Sequence, residues 1–342
     1  MSTTASRPPS PALIFETLNA YQRSGALHAA IELDLFTAIA EGNTSARMIA
    51  ERIKASVKGT RVLCDYLTLM GFLIKQSDDY SLTPESSVFL DRNSPAYVGS
   101  ASKFLNSTRQ FQDIAAIVRK GGTVMGREGQ AGQEGMLSAE HPLWVEFARS
   151  MAPLTTMPAQ LIAELIGAKE AAKWKVLDIA AGHGIFGITI AKNNPSAEIV
   201  AVDWAPVLAV ADENALKAGV SDRFRKIPGS AFEVDLGSGY DIVLITNFLH
   251  HFDPAANEGL LRKVHAAMAP GGRALTVEFI PNEDRISPPQ DASFSLIMLG
   301  ATASGDAYTF SEYDRMFRSA GFSRNELIQL DPSPQRVIVS YK

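Results

Sequence analysis

The sequence predicts an α/β protein: a seven-stranded, doubly wound domain preceded by a mainly helical domain of winged-helix-like pattern. Three observations carry that prediction. Up to about Val145, apolar residues recur at three- and four-residue spacing with few β-branched runs, which is the period of amphipathic helices. After Trp174, β-branched apolar runs alternate with helical segments, the order that builds a parallel sheet. The early runs are apolar almost without a break, as strands covered on both faces are.

Taken in order, residues 1–11 read as a disordered tail, residues 12–150 as the helical domain and residues 151–342 as the doubly wound domain. SARMIAERI (Ser45 to Ile53), KGTRVLCDYLTLMGFL (Lys58 to Leu73) and IKQSDDYSLTP (Ile74 to Pro84) read as a helix, a longer helix and a hairpin turning on Asp78-Asp79. The earlier stretch FETLNAYQRSGALHAAIEL carries more apolar surface than one small domain needs to bury, so a homodimer through this region is expected. Gly121 to Gly135, rich in Gly and Gln, reads as a surface loop at a pocket entrance, since its glycines raise the entropy cost of ordering it. Strands are expected at Lys175–Ala180, Glu198–Asp203, Phe224–Gly229, Asp241–Asn247, Gly272–Ile280, NELIQL and RVIVSYK. Helices fall between them at Ile185–Asn193, Pro206–Lys217, Ala255–Met268 and Ser311–Ala320.

Composition narrows the function. The 342 residues are 46% hydrophobic and 20% charged, which excludes a disordered or fibrous chain. A single cysteine, Cys64, cannot form an intramolecular disulfide, and with no apolar stretch of signal-peptide kind in MSTTASRPPSPA the sequence reads as cytoplasmic. No run approaches the eighteen or so apolar residues of a membrane span, so no membrane partner is expected. Lys plus Arg total 32 against 37 Asp plus Glu, a net charge of −5, which disfavours nucleic acid as a partner. Residues 1–100 hold nine basic and ten acidic side chains, a balance of −1, so a ligand-sensing winged-helix regulator of DNA is the weaker rival. A small-molecule partner is favoured.

GHGIFG (Gly182 to Gly187) follows an expected strand and opens a helix, and Asp203 ends the next strand, as in a dinucleotide fingerprint. A second pattern begins at Asp178 and runs D-x-A-x-G-x-G through Ala180, Gly182 and Gly184. Charge separates the two readings. A carboxylate at the strand end would repel a pyrophosphate, which argues against a nicotinamide-dependent oxidoreductase. S-adenosylmethionine has no phosphate, and its ammonium and sulfonium are both cationic; Asp178 suits its amino group and Asp203 its ribose hydroxyls.

VLDIAAGHG, AVD, NFLHHFDP, MAPGGRALTVEFIPNED and SEYDRMFRSAGF together resemble the S-adenosylmethionine-dependent small-molecule O-methyltransferases, of the plant caffeate and acetylserotonin type and the bacterial polyketide and hydroxyneurosporene type. The resemblance spans nearly the whole chain. It implies a winged-helix dimerisation domain, a methyltransferase domain, and transfer of a methyl group to an oxygen of a small aromatic or polyketide-like acceptor. It also implies cofactor contacts from Asp178, Gly182, Gly184 and Asp203. Ala180 stands where the family usually has its first glycine, Ser230 and Ala231 where it has an adenine-binding acid, and Thr246 where the plant enzymes have lysine. These departures leave open a methyltransferase fold with another activity, such as hydroxylation or rearrangement.

His250 matches the family's catalytic histidine; an imidazole near its ordinary pKa of about 6.5 can take a proton from a phenol or enol. Glu278 in TVEFIP matches the first supporting carboxylate, while Ala307 fills the second's place with Asp306 beside it as a substitute. The plainer reading makes His250 an ordinary strand-end histidine and Glu278 a cap. His251 stands where the family usually has aspartate, and on a strand end it should leave on the opposite face from His250 and matter far less. For the same reason no metal site is expected from the pair. In PLWVEFARSMAP, Phe147 and Met151 match residues that flank the acceptor, as do Asn247 and Met298, and Thr155 lies near the cofactor carboxylate. His183 reads as structural, within the cofactor loop.

Overall fold

A computed structural model describes residues 10–105, 111, 113–124, 141–170 and 173–342 of the chain. Residues 1–9 of the expected tail and residues 125–135 of the expected Gly/Gln-rich loop lie outside the described residues. Contacts divide the chain into two compact units, Met1–Asn106 and Ser107–Lys342.

The first unit runs α1 (Ala12–Asn19), α2 (Tyr21–Glu32), α3 (Leu35–Ala40), α4 (Ala46–Arg52), α5 (Val57–Leu69), β1 (Leu73–Gln76), β2 (Asp79–Leu82), α6 (Pro84–Phe89) and α7 (Ser102–Leu105). Local chemistry sets these bounds. The Ser45 and Ser56 hydroxyls cap α4 and α5 by accepting the N–H groups of Met48 and Gly59. α5 stops four residues before the expected Leu73, because the chain turns at Gly71, where φ is +83°. The hairpin turns on Ser77-Asp78 rather than Asp78-Asp79, since Gln76 pairs with Asp79 and Ser77 takes the positive φ. Phe36, Ile49, Cys64, Leu67 and Tyr80 form the core. Asp65 on α5 ties the hairpin down by accepting from Lys75 at 2.6 Å and the Tyr80 hydroxyl at 2.7 Å. Burial pushes the Cys64 thiol up to about 12, so it stays an unreactive apolar group. α1 buries no residue of its own, leaving Leu13, Ile14, Phe15 and Leu18 exposed.

The second unit opens with α8 (Ile114–Lys120) and α9 (Pro142–Leu165), the latter one helix running through residues 150 and 151. Then β3 (Lys175–Ile179), α10 (Ile185–Asn193), β4 (Glu198–Asp203), α11 (Ala205–Lys217), β5 (Phe224–Pro228), β6 (Tyr240–Thr246) and α12 (Pro254–Ala267) alternate. The chain ends with β7 (Met268–Glu278), α13 (Pro289–Ala301), α14 (Phe310–Ser319), β8 (Arg324–Gln329) and β9 (Arg336–Tyr341). Seven strands form one sheet in the order β5-β4-β3-β6-β7-β9-β8, with β9 antiparallel to both neighbours. Both faces are covered. Val176, Ile199 and Ile242 join one core, while Leu177, Val200 and Val243 join the other, which is why these strands read as unbroken apolar runs. The helix α13 was not anticipated, because PQDASFSLIMLGA lacks a clear one-sided apolar stripe.

Candidate active site

From β3 the chain builds outward to β4 and β5 on one side and to β6 and β7 on the other. The carboxyl ends of β3 and β6 therefore flank the point where strand order reverses, the usual place for a ligand in a doubly wound sheet. Asp178 lies near the end of β3, 1% exposed. Its Oδ2 accepts the Gly187 N–H at 3.1 Å, while its Oδ1 is buried without a partner. A side chain at residue 187 could not fit: a Cβ there would stand 2.9 Å from the Asp178 Oδ2. Burial pushes the Asp178 carboxyl up to about 7, against the pull of the Gly187 N–H and with a smaller push from Asp203.

Asp203 ends β4 and holds the loop from the other side, accepting the Gly182 N–H at 2.8 Å on Oδ2 and the Trp204 N–H at 2.7 Å on Oδ1. Burial raises it to about 6 in spite of those two bonds. Each oxygen keeps a lone pair for a further donor. At Gly182, with φ +58°, a Cβ would meet only the Ala180 carbonyl oxygen, at 3.9 Å, so the backbone here is lightly covered. Ala180 itself sits at φ +52°, a left-handed conformation that costs an L residue about 1–2 kcal/mol. His183 is structural: its Nδ1 accepts the Ile185 N–H, its Nε2 meets the Thr155 hydroxyl at 3.1 Å, and burial lowers it to about 4. Thr155 also donates to the Ala152 carbonyl, so its hydroxyl is committed within the protein. Ser230 and Ala231 are buried beyond β5, the Ser230 hydroxyl accepting from the Phe232 N–H at 3.3 Å.

The second half of the site follows β6. Thr246 is buried at the strand end, and Asn247 leaves it with φ +52°. That reversal breaks the strand, and residues 249–251 form a 3-10 turn. His250, 4% exposed, directs Nδ1 to the Glu278 Oε2 at 2.5 Å. Glu278 is fully buried at the end of β7, and its Oε1 accepts the N–H groups of Phe248 at 3.0 Å and Leu249 at 2.9 Å. One carboxylate thus caps the turn through Oε1 and meets the imidazole through Oε2.

His251 departs from expectation. Its ring lies 4.2 Å from that of His250, with the two Nε2 atoms 3.1 Å apart. Side chains alternate across a strand, but the strand has ended at Thr246 and a 3-10 turn carries no such alternation. Its Nδ1 is buried with no partner, and burial, reinforced by His250, holds the ring well below the usual imidazolium range.

Three supporting residues were not legible beforehand. Phe294 on α13 sets its edge against His250, with ring centres 4.9 Å apart. Gln335 donates to the Asn247 side-chain oxygen. Gly305 lies so close that a Cβ would come within 2.1 Å of the His250 carbonyl oxygen. Met298, buried, lies one turn beyond Phe294. Phe147, 41% exposed, and Met151 lie one turn apart on α9. Ala307 is fully buried, and the Asp306 carboxylate accepts from Arg285 at 3.3 Å and from the Ala307 N–H, so it is committed away from His250. Among the described residues, no group of three or more His, Cys, Asp or Glu is arranged to hold a metal.

Against known proteins, residues 147–323 match the model of an O-methyltransferase domain and residues 15–92 that of an O-methyltransferase dimerisation domain. A 3-hydroxy-5-methyl-1-naphthoate 3-O-methyltransferase from Streptomyces sahachiroi is 26% identical, the match covering 97% of this chain and 95% of that protein. The crystal structure of a proposed O-methyltransferase from Nostoc punctiforme is 52% identical and superposes with a TM-score of 0.90 over 98% of this chain and all, 100%, of that one. Human N-acetylserotonin methyltransferase in complex with SAM shares the fold at 22% identity and a TM-score of 0.83, over 100% of this chain and 99% of that one.

Proposed function

Because the chain belongs to the O-methyltransferase family, we propose that His250 is its general base, with Glu278 as the carboxylate that orients and supports it. The enzyme uses S-adenosylmethionine and methylates an oxygen of an aromatic or polyketide-type acceptor. The observation that carries the assignment of the base is the buried Glu278–His250 pair at the carboxyl ends of β6 and β7, beside the loop between Asp178 and Asp203.

When bound, S-adenosylmethionine supplies an electrophilic methyl group; the chain binds, orients and moves the proton. The partnerless, buried Asp178 Oδ1 fits a cationic amino group, and the lightly covered backbone at Gly182 fits a ligand lying against it. Asp203 has lone pairs for ribose hydroxyls. Ala180, Gly184, Ser230, Ala231 and Thr246 complete the cofactor side, where Thr155 acts through its contact with His183, and Phe147, Met151, Asn247 and Met298 complete the acceptor side. Methionine suits a flat aromatic acceptor because its thioether is polarizable and adaptable. Glu278 touches the imidazole at Nδ1 and so lies against the positive charge that forms when the acceptor loses its proton. Hydroxylation, rearrangement, hydride transfer and DNA regulation draw no support from the relatives. Calorimetry tests this reading: S-adenosylhomocysteine should bind and NADH should not, whereas NADH binding without S-adenosylhomocysteine binding would contradict it.

The helix–helix–hairpin of the first unit reads as a winged helix used for dimerisation. A second copy would cover the exposed Leu13, Ile14, Phe15 and Leu18 of α1. Light scattering should therefore give about twice the chain mass of 36.9 kDa, and Phe15→Asp with Leu18→Asp should halve it. A monomer mass for the wild-type enzyme at micromolar concentration would rule out a stable homodimer. No described helix is long and apolar enough to cross a membrane. The buried, unpaired Cys64 accords with a cytoplasmic setting.

A further inference from the structure

Both ring nitrogens of His250 are engaged, Nδ1 by Glu278 and Nε2 by His251, so the candidate base has no free nitrogen to offer an acceptor. The proton positions follow from donor and acceptor counting. Glu278 Oε2 lies in a fully buried carboxylate whose Oε1 already takes two backbone N–H groups, so His250 Nδ1 carries a proton toward it. A neutral His250 then has a bare Nε2, and the proton between the two rings belongs to His251 Nε2. That leaves His251 Nδ1 as a bare lone pair, and it is the nitrogen of the pair that is buried with no partner.

We propose that Glu278, His250 and His251 form one proton line, and that His251 Nδ1, its open end, takes the proton of the acceptor hydroxyl. This rests on the reading of His250 as the base and moves the point of contact outward by one imidazole. The step balances. The acceptor O–H bond breaks and an N–H bond forms at His251 Nδ1, while the proton on His251 Nε2 crosses to His250 Nε2. The freed oxygen lone pair bonds the methyl carbon, whose bond to sulfur breaks with its electron pair staying on sulfur. His251 ends neutral with its proton on Nδ1, and the positive charge rests on His250 against Glu278. That location matters because a cation is costly in a buried site unless a counter-ion touches it. Glu278 meets His250 directly, whereas the ring contacts described for His251 are with His250 and Phe252.

Two readouts test it on the whole enzyme. In nitrogen-15 spectra of histidine-labelled protein saturated with S-adenosylhomocysteine, His250 should be protonated on Nδ1 and His251 on Nε2. A His251 protonated on Nδ1 in that resting state overturns the proposal. In kinetics, His251→Asn should lower turnover by about 10²-fold on a phenol of pKa about 10 and change it little on an acceptor already ionised at assay pH. Equal losses on both acceptors would make His251 a positioning residue and overturn the relay. Unchanged turnover in His251→Asn, with a loss still seen in His250→Asn, would mean that His250 acts directly. Unchanged turnover in both variants would remove the underlying reading of His250 as well. S-adenosylhomocysteine affinity equal to wild type certifies the fold of each variant; should His251→Asn lose it, the resting-state spectrum of the wild-type enzyme decides.

Discussion

His250→Ala should lower turnover by roughly 10² to 10⁴ on a weakly acidic acceptor and leave S-adenosylhomocysteine affinity nearly intact. The separation is expected because His250 touches Glu278, His251 and Phe294, whereas the Asp178 and Asp203 carboxylates hold the glycine loop. Glu278→Gln belongs to the same experiment. An amide keeping its oxygen on the Phe248 and Leu249 N–H groups presents its NH2 to His250 Nδ1. The imidazole must then carry its proton on Nε2, the nitrogen that has to be bare to take a proton. Turnover should fall into the same range, so the variant is more damaging than loss of a supporting charge alone. Wild-type rates from His250→Ala would move the active site elsewhere.

Asp203→Ala should weaken S-adenosylhomocysteine binding by about 1–3 kcal/mol, through loss of charged hydrogen bonds to ribose and of the two backbone N–H groups it holds. Each 1.4 kcal/mol is about tenfold in the dissociation constant. The wild-type enzyme should also bind more weakly as pH falls. Burial raises Asp203 to about 6 and Asp178 to about 7, and ligand hydroxyl and ammonium groups favour the ionised carboxylates. Binding therefore expels protons wherever the free carboxyls hold them, so affinity climbs with pH and levels off above about 7. Calorimetry across that range should show the lower part of the rise disappear in Asp203→Ala. A flat wild-type profile, or wild-type affinity in the variant, would contradict the role given to Asp203.

Periodicity made most of the second unit legible. Glu198–Asp203 and Ile185–Asn193 match their expected bounds, because a strand buried on both faces and a helix opened by Gly184 both declare themselves in residue type. What escaped depended on backbone reversals. His250 and His251 looked like alternating strand residues because nothing in NFLHHFD announces that Asn247 takes a positive φ and ends the strand. Asp306 looked available to His250 by adjacency, and its bond to Arg285, distant in sequence, could not be read locally. Phe294 was hidden with α13, whose apolar residues encircle the helix instead of marking one face. The pairing of His250 with Glu278 was implied by the family resemblance, and the fold makes it by setting the turn after β6 beside the end of its parallel neighbour β7.

The most direct test of the central claim follows a labelled methyl group from S-adenosylmethionine into a panel of phenols, hydroxyquinones and amines, with product structure read by carbon NMR. A carboxylate-supported imidazole poised to deprotonate a hydroxyl predicts label on the phenolic or hydroxyquinone oxygen, at a rate that depends on His250 less and less as the acceptor grows more acidic. Label delivered to carbon or to amine nitrogen alone, or no transfer to any acceptor by an enzyme that binds the cofactor, would contradict it.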